Sequence, residues 1–259
     1  MVKGLYTAYT GMINEQNRMD IMTNNLANAS TVGYKKEGST SQSFDDVLTV
    51  KIKDQSVGMR NVQRLGVKNP GVKIGENYTD YSQGSFRITG NTYDLALSGE
   101  GFFAIEFTNK AGETDTKYTR AGQFTLNKDG YLVTEEGDYV LDTQNRRIRL
   151  NTLIDSSITD DGTIYQNDRA VAKIQVTDFE DYDYLEKYGE TYYQPIQGAK
   201  TIAAKAQVKS GYLEMANVQV VSEMVNLISI TRAYESNQKV VQTIDDTLDV
   251  AVNQIGRVQ

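Results

Sequence analysis

The sequence predicts an α+β protein. Long N- and C-terminal helices pack together as one discontinuous helical domain, and a mostly antiparallel β domain is inserted between them. Three observations carry this prediction. Apolar residues recur in alternating three- and four-residue steps at both chain ends, and they alternate at period two through the middle. Hydrophobic residues make up only 39% of the 259, a composition suited to an elongated chain that completes its burial against neighbours.

The first helix carries Leu5, Ala8, Met12, Glu15, Met19, Met22 and Leu26 in that rhythm. A period of about 3.5 residues places them along one narrow stripe, and a narrow stripe wants a partner helix rather than a broad core. The helix interior lacks Pro and holds Gly11, at a modest cost in propensity. Asn24, Asn25 and Asn28 cluster where the helix should end, and Gly33 follows. Residues 35–80 are polar and Gly-punctuated. They read, with 200–211, as extended connections containing short strands or loop.

From 81 to 199 the pattern is that of strands. Tyr93, Leu95 and Leu97 alternate, as do Phe103, Ile105 and Phe107. Asn127-Lys128-Asp129-Gly130 is a hairpin-turn sequence, Asp161-Gly162 marks a second turn, and 170–177 is a further strand. The last helix repeats the heptad rhythm with Val220, Glu223, Leu227, Ile230, Tyr234, Asn237, Val241, Ile244, Leu248, Ala251 and Ile255. If helical throughout, it is about 54 Å long. The expected domains are therefore 1–34 with 212–259 (helical), 35–80 with 200–211 (connecting) and 81–199 (β-rich). Within the seams, Asn237 reads as a polar residue that fixes register. Glu223, near the helix start where negative charge suits the macrodipole, reads as facing water.

The chain has no Cys and no His. Disulfides, thiolate metal sites, cysteine nucleophiles and His-dependent acid–base schemes are excluded. A net charge of -7 gives no support for nucleic-acid binding. The opening residues hold no 7–15-residue apolar run, so a conventional secretory signal is not expected, and no apolar run reaches the length needed to span a membrane. Gly99-Glu100-Gly101-Phe102-Phe103-Ala104 approximates a dinucleotide-binding pattern, but strand-like residues follow it where that pattern needs a helix. It reads as a tight turn.

Two charge runs stand out. Asp178, Glu180, Asp181, Asp183, Glu186 and Glu190 lack calcium-loop spacing and read as a solvated or interfacial face. Lys51, Lys53, Arg60, Arg64, Lys68 and Lys73, offset by Asp54, lack aromatic residues for base stacking and read as a solvated or protein-contacting strip. Neither a cofactor nor a metal is expected.

Several ordered motifs carry a family resemblance. They include Leu5 to Met12 (LYTAYTGM), then Asn24-Asn25-Leu26-Ala27-Asn28-Ala29-Ser30-Thr31-Val32-Gly33-Tyr34-Lys35. In the middle lie Gly90 to Phe103 (GNTYDLALSGEGFF) and Tyr118-Thr119-Arg120-Ala121-Gly122-Gln123-Phe124. Near the end come Gly211-Tyr212-Leu213-Glu214-Met215-Ala216-Asn217-Val218, Glu223 to Ile228 (EMVNLI) and Arg232-Ala233-Tyr234-Glu235-Ser236-Asn237. Together they resemble the bacterial flagellar rod and hook proteins. The resemblance implies a non-enzymatic axial subunit of the basal body that assembles with copies of itself and with other rod and hook subunits into a torque-transmitting tube. It implies export by the flagellar type III apparatus without a cleaved signal, an extracytoplasmic location, and terminal helices inside an outer β-rich domain. Length and middle motifs resemble distal-rod members most, with proximal-rod members as the alternative. A soluble β-domain binding module, or an enzyme built on the β region, are the competing readings.

Overall fold

The computed structural model describes residues 2–52, 62–109 and 112–255. Lys53, Asp54 and Arg60 of the basic strip lie outside the described residues, as do the side chains of Lys51, Arg64 and Ile255. The protein is mixed, with a long helix at each end and a large antiparallel sheet region between them. It forms two compact units: one of 1–26, 37–80 and 220–259, the other of 27–36 and 81–219.

In the first unit, α1 (Val2–Ala27) and α2 (Val220–Val250) accompany four strands, and α2 passes into a π-helical turn at Ala251–Ile255. The strands are β1 (Glu37–Ser43), β2 (Val47–Ile52), β3 (Val62–Lys68) and β4 (Val72–Thr79). β1 pairs antiparallel with β4, and β2 with β3. Residues 37–79 are thus more regular than the expected connection. The short strands that the sequence allowed here are therefore present, and their bounds were not legible because most of the described side chains in these ladders are exposed, so no buried face imposes period two on the sequence.

In the second unit, β5 (Phe86–Ile88) and β6 (Leu95–Ser98) lead to β7 (Phe102–Thr108), the organising strand. β8 (Thr114–Thr119) borders one edge of β7. The other edge is shared by β11 (Tyr139–Val140) and β15 (Val176–Phe179). The sheet extends through β9 (Phe124–Leu126) and β10 (Leu132–Thr134) on one side, and through β16 (Leu185–Tyr188) and β17 (Tyr192–Pro195) on the other. β12 (Ser156–Ile158), β13 (Thr163–Gln166) and β14 (Arg169–Lys173) form a separate meander. β18 (Thr201–Ala203) pairs with β15, β19 (Gln207–Ser210) with β6, and β20 (Tyr212–Glu214) with β5. The segment 200–211 is therefore mostly laddered into this unit.

Both faces of β7 are buried. Phe103 joins Leu95, Leu97, Phe124, Leu132 and Ile164 in one core. Phe102 and Ala104 join Tyr118, Phe179, Leu185 and Tyr193 in the other. The period-two signal is real, but here it separates two cores rather than core from water. The turns fall where the sequence places them: Gly130 (φ 82°) between β9 and β10, and Gly162 (φ 78°) between β12 and β13. One member of the acidic run departs from a solvated face. Asp178 is buried, and it accepts hydrogen bonds from Tyr182 Oη (2.8 Å) and the Phe179 N–H (2.9 Å).

On β7, Glu106 accepts from Arg147 Nε (3.0 Å) and Nη2 (2.6 Å), and Arg147 stacks 4.2 Å from the Tyr139 ring. The hydrogen bond from Arg147 holds the Glu106 carboxyl below its ordinary value of 4.5. A depressed carboxylate stabilises the fold above its unfolded pKa, and that contribution is lost as pH falls through the folded pKa. Thermal unfolding of the wild type should therefore lose this contribution below about pH 4.5. Glu106→Gln should lack that part of the acid sensitivity. Because the pair is partly exposed, the difference at neutral pH is about 0.5–1 kcal/mol. Parallel pH profiles of the two proteins would exclude the effect.

Candidate functional site

Two arrangements bear on function: a buried charge cluster in the second unit and the helix faces in the first. The cluster begins at the end of α1. Thr31 donates from its backbone N to Asn28 O (3.1 Å), closing the turn, and Gly33 (φ 71°) redirects the chain. Lys35 follows, 1% exposed. Its Nζ donates to Glu214 Oε1 and to the Ser82 carbonyl, each at 2.7 Å. Glu214, fully buried at the end of β20, also accepts from the Gly84 N–H (3.0 Å) and from Arg120 Nη1 (3.3 Å). Arg120, 3% exposed, also donates to the Gly99 carbonyl (2.9 Å) and lies 5.2 Å from the Phe102 ring.

Two buried cations thus share one carboxylate. Backbone carbonyls and an aromatic face add to the compensation. Arg120 Nε has no hydrogen-bond partner among the described residues. Desolvating such a triad costs much of what its Coulomb attraction returns, so the cluster's net contribution to stability is small compared with the cost of removing one partner.

Further bonds tie the same segments together. The Gly33 N–H donates to Glu214 O (2.8 Å), and the Met215 N–H to Ser85 O (2.9 Å). The Lys36 N–H donates to Asn217 Oδ1 (2.7 Å), while Asn217 Nδ2 donates to the Ser82 carbonyl (3.2 Å). The chain passes between the two units at 26/27, 36/37, 80/81 and 219/220. Three of these passages lie within three residues of a residue in this network. Gly33, Tyr34, Lys35, Arg120, Glu214 and Asn217 all lie inside the motifs that carry the family resemblance, but no local pattern marks Lys35, Arg120 and Glu214 as partners. The available signal was a charged residue embedded among Gly and apolar neighbours, as in Gly33-Tyr34-Lys35 and Leu213-Glu214-Met215.

The heptad residues also have definite places. On α2, Ile230 is buried, and Leu227, Tyr234, Asn237, Val241, Ile244 and Leu248 are half-buried, as is Ala251 in the π-helical turn. Val220 is exposed. Apart from this series, Thr231 is the one α2 position from 220 to 250 that is not exposed. Arg232 and Ala233 are exposed. Glu223 corrects the expectation that it faces water: it is 1% exposed. The heptad period counted it as a seam position, and that geometry outweighs its position near the helix start.

On α1, Ala8 is buried, and Leu5, Met12, Glu15, Met19, Met22 and Leu26 are half-buried. The stripe is wider than predicted, because Asn14 and Asn25 are buried beside it. Asn14 Nδ2 donates to Ser41 Oγ (3.1 Å). Asn25 Nδ2 donates to the Glu37 carbonyl (2.8 Å), and Asn25 Oδ1 accepts from the Glu37 N–H (3.0 Å). Amide side chains that pair with β1 have no apolar periodicity to betray them. Asn24 is exposed and Asn28 is buried in the turn. A Cβ on Gly4 would lie 3.5 Å from Ile244 Cδ1, and one on Gly11 would lie 2.9 Å from Asn237 Nδ2. These contacts are seven residues apart on each helix and run in opposite directions.

Among the described residues no group of three acidic, His or Cys side chains is placed to hold a metal. No helix there is long and apolar enough to cross a membrane.

Comparison with known proteins matches three segments. Residues 5–35 match the flagella basal body rod protein family, 96–166 the D1 domain of the flagellar hook protein FlgE/F/G family, and 209–255 the C-terminal region of the flagellar basal body rod FlgEFG proteins. Lys35, Arg120 and Glu214 come one from each segment. The flagellar basal-body rod protein FlgG of Bacillus subtilis (strain 168) is 34% identical, with 98% of this chain and 99% of that protein covered. The flagellar hook-basal body complex protein FlhO of the same strain is 31% identical, with all of both chains covered. The flagellar basal-body rod protein FlgF of Caulobacter vibrioides is 32% identical, again with all of both chains covered.

Proposed function

The chain belongs to the flagellar basal-body rod family, and from that premise we propose that it is an axial subunit of the distal-rod type. It is a structural subunit of the flagellar rod and not an enzyme. The observation that carries the family is 34% identity to a rod protein across 98% of the chain. The distal reading rests on that match to FlgG. The proximal alternative rests on the full-length match to FlgF at 32% identity.

In this reading copies of the chain associate head to tail with one another and with neighbouring rod and hook subunits. Heterologous contacts that do not close make an open helical tube. The terminal helices pack together as one discontinuous domain near the tube axis, which suits a stiff inner wall. The antiparallel approach at Gly4/Ile244 and Gly11/Asn237 supports that packing. In the same reading the chain reaches an extracytoplasmic place through the flagellar type III apparatus.

Gold labelling of this protein in purified basal bodies tests the reading. Label on the distal half of the rod is the expected result. Label confined to the proximal half selects the alternative, and unlabelled basal bodies overturn both.

Asn237 lies over Gly11, at a position the heptad assigns to the seam. Asn237→Leu should leave helix content unchanged by circular dichroism while making the assembled tubes irregular in micrographs. A polar seam residue typically specifies register at a cost in stability. Uniform tubes from this variant would show that Asn237 does not set the packing.

A further inference from the structure

The β-rich unit carries an open cleft of about 610 Å³ that neither the buried charge cluster nor the helix faces use. That size is typical of a small-ligand site. Lys128, Asp129 and Gly130 line it from the β9–β10 turn, and Arg149, Asn151 and Thr152 from the segment before β12. Leu150 and Val171 add apolar surface. Two cations against one carboxylate leave the lining net positive, in a chain whose net charge is -7.

Both walls are fixed by hydrogen bonds. Asn127 Oδ1 accepts from the N–H groups of Asp129 (3.0 Å) and Tyr131 (2.8 Å), which holds the turn. On the other wall Gln166, 7% exposed, accepts from the Asn151 N–H (3.1 Å) and donates to the Asn151 carbonyl (2.9 Å). The Leu150 N–H donates to the Gly130 carbonyl (2.7 Å) and Arg149 Nε to the Asp129 carbonyl (3.2 Å), so each wall holds the other. Polar groups placed in advance lower the entropy cost of binding.

Beside the cleft the surface turns aromatic. The Arg149 guanidinium lies 5.6 Å from the Tyr131 ring, and Tyr131 packs edge-to-face with Tyr139 at 5.5 Å. Both rings are half-buried. Leu153, next to Thr152, is 92% exposed, and its N–H is held by Asn151 Oδ1 (3.0 Å). It adds an apolar rim.

We propose that this cleft binds an acidic saccharide, with a sugar carboxylate between Lys128 and Arg149 and ring hydroxyls on Asp129, Asn151 and Thr152. The proposal goes beyond the rod-subunit reading and does not depend on it. Arg149 supplies planar donors that match a carboxylate. Asp129 accepts, while the Asn151 amide and the Thr152 hydroxyl offer both donors and acceptors. That mixture matches sugar hydroxyls, each of which donates and accepts. Inorganic phosphate or an acidic peptide would set like charge against Asp129. Sugar rings also have apolar faces, for which Leu153 and Tyr131 provide cover. Nucleic acid fits less well, because its phosphates would meet both Asp129 and a chain of net charge -7.

Calorimetric titration of the full-length protein with tetragalacturonate and with a sialic-acid tetramer tests the assignment. Parallel titrations use the methyl ester of the first, a neutral galactose tetramer, inorganic phosphate and a single-stranded oligonucleotide. At least one acidic saccharide should bind, about ten times or more tighter than the neutral saccharides and than phosphate. Lys128→Gln and Arg149→Gln should each weaken that binding about tenfold or more. Both positions are exposed, so the melting temperature of each variant should stay within about 2 °C of the wild type.

The assignment is overturned if neither acidic saccharide binds, or if the neutral saccharides or phosphate bind as tightly. It is also overturned if the oligonucleotide binds more tightly, or if either variant binds like the wild type. None of these results changes where gold label falls on the basal body, so the rod reading stands or falls separately.

Discussion

Glu214→Ala is expected to lower the thermal stability of the β-rich unit by roughly 10 °C or more. The substitution removes the carboxylate that Lys35 and Arg120 share, at 2.7 and 3.3 Å, and takes a buried counter-charge from two cations that are 1% and 3% exposed. Breaking a buried pair by deleting one partner costs roughly 3–5 kcal/mol, and the Gly84 N–H loses its acceptor as well. For a domain of this size each kcal/mol shifts the midpoint by roughly 2–4 °C. Replacing all three, as Lys35→Met, Arg120→Leu and Glu214→Met, leaves no orphaned charge and should cost less than Glu214→Ala alone. Calorimetry decides the matter. A single variant melting within 2 °C of the wild type, or a triple variant less stable than it, would show that charge pairing is not what the cluster contributes.

Gly33→Ala is the second large effect. Gly33 sits at φ 71°, where an L-residue pays roughly 1–2 kcal/mol. An added Cβ would also overlap the backbone of Arg120 and Ala121, with Ala121 Cα at 2.6 Å. That backbone has little freedom to retreat, because Arg120 is held by Glu214 and Gly99, and Gly33 itself donates to the Glu214 carbonyl. Overpacking against a fixed neighbour adds roughly 1–3 kcal/mol, for a total near 3 kcal/mol. Gly137→Ala is the control: φ is 99° and nothing lies within 4 Å of the added carbon, so it should show the backbone cost alone. Equal losses for the two variants in chemical denaturation would mean that the close approach at Gly33 is unimportant. The Gly33 and Glu214 effects should fall short of additive, since each loosens the same contact.

What the sequence determined by itself is periodic or exclusionary. The heptad on α2 predicts its unexposed stripe from Leu227 to Leu248, because 3.5-residue spacing is a property of one helix and needs no partner to be read. The alternation of Phe103, Ile105 and Phe107 predicts strand for the same reason, and the absence of His and Cys rules out whole classes of chemistry. The ordered motifs carry the family.

Tertiary structure decided the rest. Lys35 and Arg120 find Glu214 across 179 and 94 residues of chain, and no local pattern encodes which of 34 acidic residues will be buried against which cation. Between the short strands and loop expected for 35–80 the fold chose strands, and their bounds and pairing were not legible because the described side chains of these ladders are mostly exposed and need no apolar alternation. Asn14 and Asn25 widen the α1 stripe through amide bonds to β1, whose strength depends on a partner placed by the fold. Glu223 shows the limit most clearly. Its charge and its place at a helix start favour water, its heptad position favours burial, and only the packed helices resolve the conflict, because burial is a property of what surrounds a side chain and not of its neighbours in sequence.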